Sequence, residues 1–337
     1  MKPVQPDILP GMPDALAKKP PKAVEYEGLT LDEAIAKAHA LVDEALERAN
    51  PDHVFILYSG GEDSVILAHL MRRRATGIVH INTGTGVPET AQHVRDIAAA
   101  WGVPLHEIQP PDTFEDLVLG KVLYKNGAKA GTPVWKGFPG PGAHDKMYQR
   151  LKERALDDFR RSLVGPRGRA GQIVNLAGMR WAESDKRFRT ASEFDPDGAI
   201  LWCSPIAWWT EGHMREYRVR YRCQLDHEHE PHLLCTPDAL PRNEVTVHLH
   251  RSGDCHCGAY ARAGEIYGLE LFYPGTAAYL HDIEAKARAQ GDIPVERCTW
   301  GWGPNAEKPS GAGRLCSSCP IPVPDGQDAL FDMGDAA

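Results

Sequence analysis

Six consecutive residues, Ser59-Gly60-Gly61-Glu62-Asp63-Ser64, put two glycines, two hydroxyls and two carboxylates between the apolar runs "HVFILY" and "VIL". A glycine turn that ends a strand and opens a helix makes an anion site. Its backbone N–H groups point at the ligand, and the helix N-terminus carries partial positive charge. Gly60 and Gly61 permit close approach and positive φ, while Ser59 and Ser64 add hydroxyl donors. The turn is not a Walker loop, because GxxxxGK[ST] is absent.

Cysteines form the second group that could do chemistry. Cys255 and Cys257 lie in "SGDCHCGAYA", and Cys316 and Cys319 in "RLCSSCPIP". C-x-C with a distant C-x-x-C supplies four thiolates from two short loops, which suits a [4Fe–4S] cluster or a tetrahedral Zn²⁺ site. Two unrelated reduced pairs is the blander reading. Cys298, in "ERCTWGWG", is a candidate replacement ligand or free sulfur carrier. Cys223, His227, His229, His232, Cys235, His248 and His250 crowd one stretch without a firm metal spacing, so zinc and a merely polar loop both stand. Cys203, in an apolar run, reads as a packed core thiol.

Alternating strands and helices must position these groups. "HVFILYS", "GIVHINT", "PLHEIQ", "QIVNLAGM" and "AILWCSPI" read as strands. "DSVILAHLMRRR" and "PETAQHVRDIAAAWG" read as the helices between the first three. Such short apolar strands imply a mostly parallel sheet covered on both faces. Thr30 and Glu33 make a capping box before "LDEAIAKAHALVDEALERA". We divide the chain into an extended proline-rich arm (1–27), an α/β domain (28–220), a Cys-rich metal region (221–320) and a flexible acidic tail (321–337). Residues 126–143 read as a long mobile loop, "HDKMYQRLKERALDDFRRSL" as helical, and the chain beyond about 210 as short helices and loops.

The chain of 337 residues carries a net charge of -8, which argues against coating nucleic acid through bulk charge. No run approaches 18 apolar residues, and the N-terminus lacks a basic-then-apolar signal, so a cytoplasmic protein without a membrane span is expected. In the tail, Gln327, Leu330 and Phe331 have the spacing of Q-x-x-L-F peptides that dock on bacterial sliding clamps. The alternative is that Leu330 and Phe331 fold back on the body.

Four segments in order carry a family resemblance over roughly residues 50–220. "SGGEDS" resembles the PP-loop of the ATP-pyrophosphatase superfamily. "INTGTGVPET", "LAGMRWAESDKR" and "SPIAWWTEGHMREY" resemble motifs of its phosphoadenosine-phosphosulfate (PAPS) reductase family. The resemblance implies a five-stranded parallel sheet with helices on both faces and an adenine nucleotide across its carboxyl edge. It implies that Ser59, Gly60, Gly61 and Glu62 hold phosphates, and that Asn82, Thr83 and Gly84 hold the adenosine part. Arg180, Arg187 and Arg189 become candidate oxyanion clamps. Asp63, Ser64, Arg180 and Glu183 are the expected catalytic group, with Asp63 orienting the turn or helping to hold Mg²⁺. Lys136 and Lys152 are weaker phosphate candidates. Glu62 leaves the nucleotide open between ATP and PAPS, because a carboxylate beside phosphates repels them unless it faces solvent or a metal.

The chain departs from the family's two reductase chemistries. It lacks a C-terminal Glu-Cys-Gly-type segment, and Met147-Tyr148 stand where adenylylsulfate reductases resemble one another in a Cys-Cys pair. The expectation is therefore a PP-loop enzyme that cleaves ATP to AMP and pyrophosphate and activates an acceptor oxygen for sulfur transfer. This is similar to DNA phosphorothioation sulfurtransferases and tRNA thiolases. It implies DNA or tRNA as acceptor, a sulfur donor such as a cysteine desulfurase, and iron–sulfur ahead of zinc at the four cysteines. The alternatives are a divergent PAPS or adenylylsulfate reductase and a non-catalytic nucleotide-binding regulatory module.

Overall fold

The computed structural model describes residues 20–140, 143–183, 191–222, 238–262 and 264–302. The arm before residue 20, Arg187, Arg189, Cys223, His227, His229, His232, Cys235, Cys316, Cys319 and the Gln327–Phe331 peptide lie outside them.

The described residues build one six-stranded sheet in the order β3-β2-β1-β4-β6-β5. Five strands are parallel: β1 (His53–Leu57), β2 (Gly77–Ile81), β3 (Leu105–Ile108), β4 (Ile173–Leu176) and β6 (Ile200–Cys203). These are the five strands read from the sequence. The sixth, β5 (Phe194–Asp197), pairs antiparallel with β6 at the sheet edge. Its sequence FDPD has no apolar alternation, and a proline is tolerated there because an edge strand leaves one row of N–H groups unneeded. The order reverses direction between β1 and β4, so their C-terminal ends flank a topological switch point.

Helix α1 (Pro21–Glu27) occupies what reads as the end of an extended arm, and it buries Ala23 and Tyr26. Proline at the first helical position costs nothing there, since that N–H has no partner in any helix. Helix α2 (Leu31–Ala49) buries Leu31, Ala34, Ala38, Val42 and Ala45 on one stripe. The Thr30 hydroxyl accepts from the Glu33 amide at 3.3 Å and the Glu33 carboxylate accepts from the Thr30 amide at 2.8 Å. Thr30→Ala is expected to lower unfolding free energy by about 1 kcal/mol in urea titration. An unchanged midpoint would remove the capping box from the account of this helix.

Helix α3 (Glu62–Met71) follows β1, and α4 (Pro88–Trp101) follows β2. Helix α5 (Phe114–Val118) precedes the Gly/Pro-rich stretch. Helices α6 (His144–Tyr148) and α7 (Arg154–Val164) are joined without a break by a π-helical turn, Gln149–Glu153. A π-turn inserts an extra residue per turn and rotates the side chains after it. Here Leu151 is buried and Lys152 lines the cavities at the sheet's edge. Beyond α8 (Glu211–Tyr221) come α9 (Glu244–Leu249), α10 (Glu265–Phe272) and α11 (Pro274–Gln290). The last spans 17 residues, longer than the short helices expected after about 210. Its buried Ala277, Leu280, Ile283 and Ala287 help close a second core with Phe114, Leu117 and Met147.

Candidate active site

A cavity of about 610 Å³ opens at the C-terminal ends of β1 and β4. The Ser59–Ser64 turn lines one side and Ala177–Arg180 another, and Tyr148, Lys152, His250, Arg251, Ser252 and Asp254 also face it. Gly60 sits at φ 77°, a conformation that costs a Cβ-bearing residue, and a Cβ there would also come within 3.0 Å of Thr90. A Cβ on Gly178 would stand 3.1 Å from the Ser64 amide nitrogen, so glycine lets the β4 end lie directly against the turn. Ser64 Oγ donates to the Gly61 carbonyl at 2.9 Å and lies 3.1 Å from Ser59 Oγ. No side chain caps the first turn of α3, so its N–H groups are left to a ligand.

The two acids of the turn face arginines. Asp63 Oδ1 lies 3.1 Å from Nε of the buried Arg180, whose Nη2 lies 3.4 Å from Glu211. This contact ties the turn to the segment that follows β4. Glu62 pairs with Arg218 at 2.8 Å, so its charge is answered by a cation on α8. Glu183 lies in a short 3₁₀ turn, Trp181–Glu183, beside Arg180.

Asn82, Thr83 and Gly84 do not line this cavity. Asn82 Nδ2 donates to Glu107 at 2.8 Å, and Thr83, buried, donates to the Asp254 carbonyl at 2.9 Å. Asn82 and Gly84 line a separate recess of about 170 Å³, which shares Asp254 with the main cavity. Lys136 pairs with Asp292, away from the turn.

Residues 243–257 are the part of the site that motif reading missed. Asn243, buried, donates from Nδ2 to the Gly60 carbonyl at 3.0 Å. The Thr90 hydroxyl donates to the Ser252 carbonyl at 2.7 Å, and the Val87 amide to the Gly253 carbonyl at 2.7 Å. The His256 amide donates to Thr85 Oγ1 at 3.1 Å. The segment is thus stitched to the PP-type turn and to the β2–α4 loop. It carries Asp254, whose Oδ2 lies 2.6 Å from Lys152 Nζ and whose Oδ1 accepts from Ser252 Oγ. Burial opposes both charges, but each holds the other: the Asp254 carboxyl is pulled below its ordinary range and the Lys152 ammonium pushed above its own. Because sequence attention in "SGDCHCG" falls on the cysteines, the acid between them and the glycine passes unnoticed.

Cys255 and Cys257 line a second chamber of about 230 Å³ walled by Met147, Leu151 and Trp300. This chamber and the main cavity share Tyr148, Lys152, Arg251, Ser252 and Asp254. Hydrogen bonding from Cys257, the Lys152 charge and the Thr85 hydroxyl hold the Cys255 thiol below its usual range, against burial. The Cys257 thiol is raised correspondingly. Cys298 lines neither chamber; it is buried and its Sγ lies 3.5 Å from the Pro294 carbonyl. Cys203 is buried in the sheet core, and burial pushes its thiol up to about 12. His248 stacks on Phe272 with centroids 4.4 Å apart, and His250 lines the main cavity. Among the described residues no three His, Cys, Asp or Glu side chains converge as a metal site. The other two cysteines of the expected four lie outside those residues. No helix among the described residues is long and apolar enough to cross a membrane.

A parallel sheet with a glycine turn and uncapped helix start at its switch point defines a nucleotide-binding α/β protein. The phosphoadenosine phosphosulfate reductase domain family matches residues 53–226, and the chain belongs to that family. It is similar to the crystal structure of phosphoadenylyl-sulfate (PAPS) reductase from Candida auris, a phosphate complex, at 17% identity. That match covers 65% of this chain and 92% of the other, with a TM-score of 0.38. No curated protein matches.

Proposed function

We propose that the chain binds ATP with Mg²⁺ on the Ser59–Ser64 turn and cleaves it between the α and β phosphates. The adenylyl group passes to an acceptor oxygen, pyrophosphate leaves, and a sulfur nucleophile then displaces AMP. The supporting observation is the junction of two chambers. The cavity at the PP-type turn opens beside the one holding Cys255 and Cys257, with Lys152 at their border. The first-turn N–H groups of α3 bind phosphate, Ser59 and Ser64 donate to its oxygens, and Arg180, set by Asp63, stands ready for charge that develops on the phosphoryl group. Cys255 and Cys257, in a mainly apolar chamber, fit half the donor set of a [4Fe–4S] cluster, and Cys316 and Cys319 would supply the rest. A cluster held by all four cysteines would have no open iron, and the chemistry it would supply is electron transfer. The donor would be a persulfide-carrying protein such as a cysteine desulfurase, and the acceptor DNA or tRNA.

Incubation with ATP, Mg²⁺, DNA or tRNA as acceptor and sulfide as nucleophile tests this reading: AMP and pyrophosphate in equal amounts are expected, and intact ATP would sink it. Anaerobic purification should give brown protein containing iron. Cys255→Ser and Cys257→Ser should each lower its metal content, whereas Cys203→Ser should not. Stoichiometric zinc without iron would replace the cluster with a structural site.

A second reading, a divergent PAPS or adenylylsulfate reductase, is favoured by one observation besides the family: Cys255 and Cys257 line one chamber beside the main cavity. Sulfite release from PAPS or adenylylsulfate, without ATP cleavage, would select it.

A further inference from the structure

A groove of about 450 Å³ runs along the outer side of the PP-type turn, between α3, α8 and α9. Glu62, Thr246 and His250 line both this groove and the main cavity, so the two spaces lie side by side. Half of the groove comes from residues 240–250, beyond the family match at 53–226. Its floor is apolar, with Val65, Leu240 and Val247, and its rim carries Arg218, Arg222 and Arg242. The arginines differ in what they already hold. Arg218 is engaged by Glu62 at 2.8 Å and Glu211 at 3.4 Å. Arg242 reaches Glu244 only at 3.7 Å. Arg222, exposed, makes no ion pair among the described residues. Two guanidinium groups are therefore available to a ligand, in a chain whose net charge is -8.

We infer that this groove seats a single-stranded nucleic acid, with backbone phosphates on Arg222 and Arg242 and an adjacent base over the apolar floor. The strand's reacting nucleotide would enter the main cavity past His250. Three features favour a strand over a small anion. The spare cations stand outside the cavity at the turn, the groove borders that cavity along Glu62, Thr246 and His250, and the floor is apolar where a lone phosphate would want donors. A nucleic acid carries anions and flat apolar faces in repeating order, which matches that layout. Local guanidinium groups can hold phosphates despite the overall negative charge, because at physiological salt charges beyond about 8 Å are screened. The inference rests on the reading of the main cavity as the nucleotide site and names the acceptor class for it.

The experiment is fluorescence anisotropy on the full chain, with labelled single-stranded DNA and RNA 12-mers and a polyglutamate peptide of equal charge as probes. Nucleotide binding to the main cavity is measured separately by calorimetry. The intact chain should bind an oligonucleotide and not the peptide. Arg222→Glu/Arg242→Glu should weaken oligonucleotide binding at least tenfold and leave nucleotide affinity unchanged. The milder Arg222→Gln/Arg242→Gln should lower the salt slope of log K by about 1.4, two contacts at about 0.7 each. No oligonucleotide binding by the intact chain, equal binding by both charge-reversed and intact chains, or equal capture of the peptide would overturn the inference. Loss of nucleotide binding by the intact chain would instead overturn the reading on which it rests.

Discussion

Asp63→Ala is expected to leave a folded chain that has lost pyrophosphate release, by at least about 100-fold. The physical reason lies in Arg180 rather than in Asp63 itself. The guanidinium is buried, 7% exposed, and Asp63 Oδ1 at 3.1 Å is its carboxylate partner in the turn. Without that carboxylate, Arg180 keeps Glu211, 3.4 Å from its Nη2, among its partners but loses the contact at Nε. The guanidinium is then expected to shift within the cavity it lines, and displacements of about 1 Å at a reacting centre cost about 100-fold. The fold should survive, because the turn sits at the open edge of the sheet and the β1 core residues Val54, Phe55 and Ile56 are untouched. Asp63→Asn, which keeps the shape and removes the charge, should fall between. Pyrophosphate release by a coupled assay, with circular dichroism as the folding control, decides it; full activity in Asp63→Ala means that Arg180 is positioned by something else.

The second large effect is on stability. Asp254→Ala should cost about 3 kcal/mol, because it strands the Lys152 ammonium in a site built for a pair. The pair's side chains are 24% and 14% exposed, so the lower end of the range for broken buried pairs applies. The pH dependence has a definite sign. The Asp254 carboxyl is depressed below its ordinary 3.8, so its contribution is whole above that pH and is lost as pH falls through the lower folded value. The Lys152 ammonium is raised above its ordinary 10.5, so its contribution is whole below that pH and is lost as pH rises through the higher folded value. The gap between the wild type and Asp254→Ala in guanidinium unfolding should therefore be constant near neutrality and narrow in strong acid. A gap that stays the same at low pH would mean that the ion pair is not its source. A double variant, Lys152→Met/Asp254→Ala, should recover much of the loss, since removing both charges also removes the desolvation cost.

The parallel core was legible because short continuous apolar runs and glycine turns are local signals. β1, β2, β3, β4 and β6 announce themselves in "HVFIL", "GIVHI", "LHEI", "IVNL" and "ILWC". β5 does not, since FDPD forms a strand only through pairing with β6. The turn itself, Gly60 and Asp63 included, was readable from residue type. What the turn's acids do was not, because Arg180 and Arg218 come from 117 and 156 positions away in the chain and no short-range pattern links them. The same reason hid Asn243 and Asp254. Each acts through a contact with a residue more than a hundred positions earlier, Gly60 and Lys152 respectively. Asn82 and Thr83 show the reverse case. Their place at a strand end is as expected, yet their side chains are spent on Glu107 and the Asp254 carbonyl.

The stitching of residues 243–257 to the β2–α4 loop bears on how this architecture can be cut and recombined. A chain ended at residue 226, where the family match stops, would leave the Gly60 carbonyl, the Thr90 hydroxyl and the Val87 amide without the partners they have in the full chain. The boundary of the recognisable domain is thus not the boundary of an independent module. A chimaera that grafts this C-terminal half onto another nucleotide-binding relative must carry Thr83–Thr90 with it as one transferable cassette, together with Lys152. Grafts that leave those residues behind should yield two halves that each fold in part and share no working pocket.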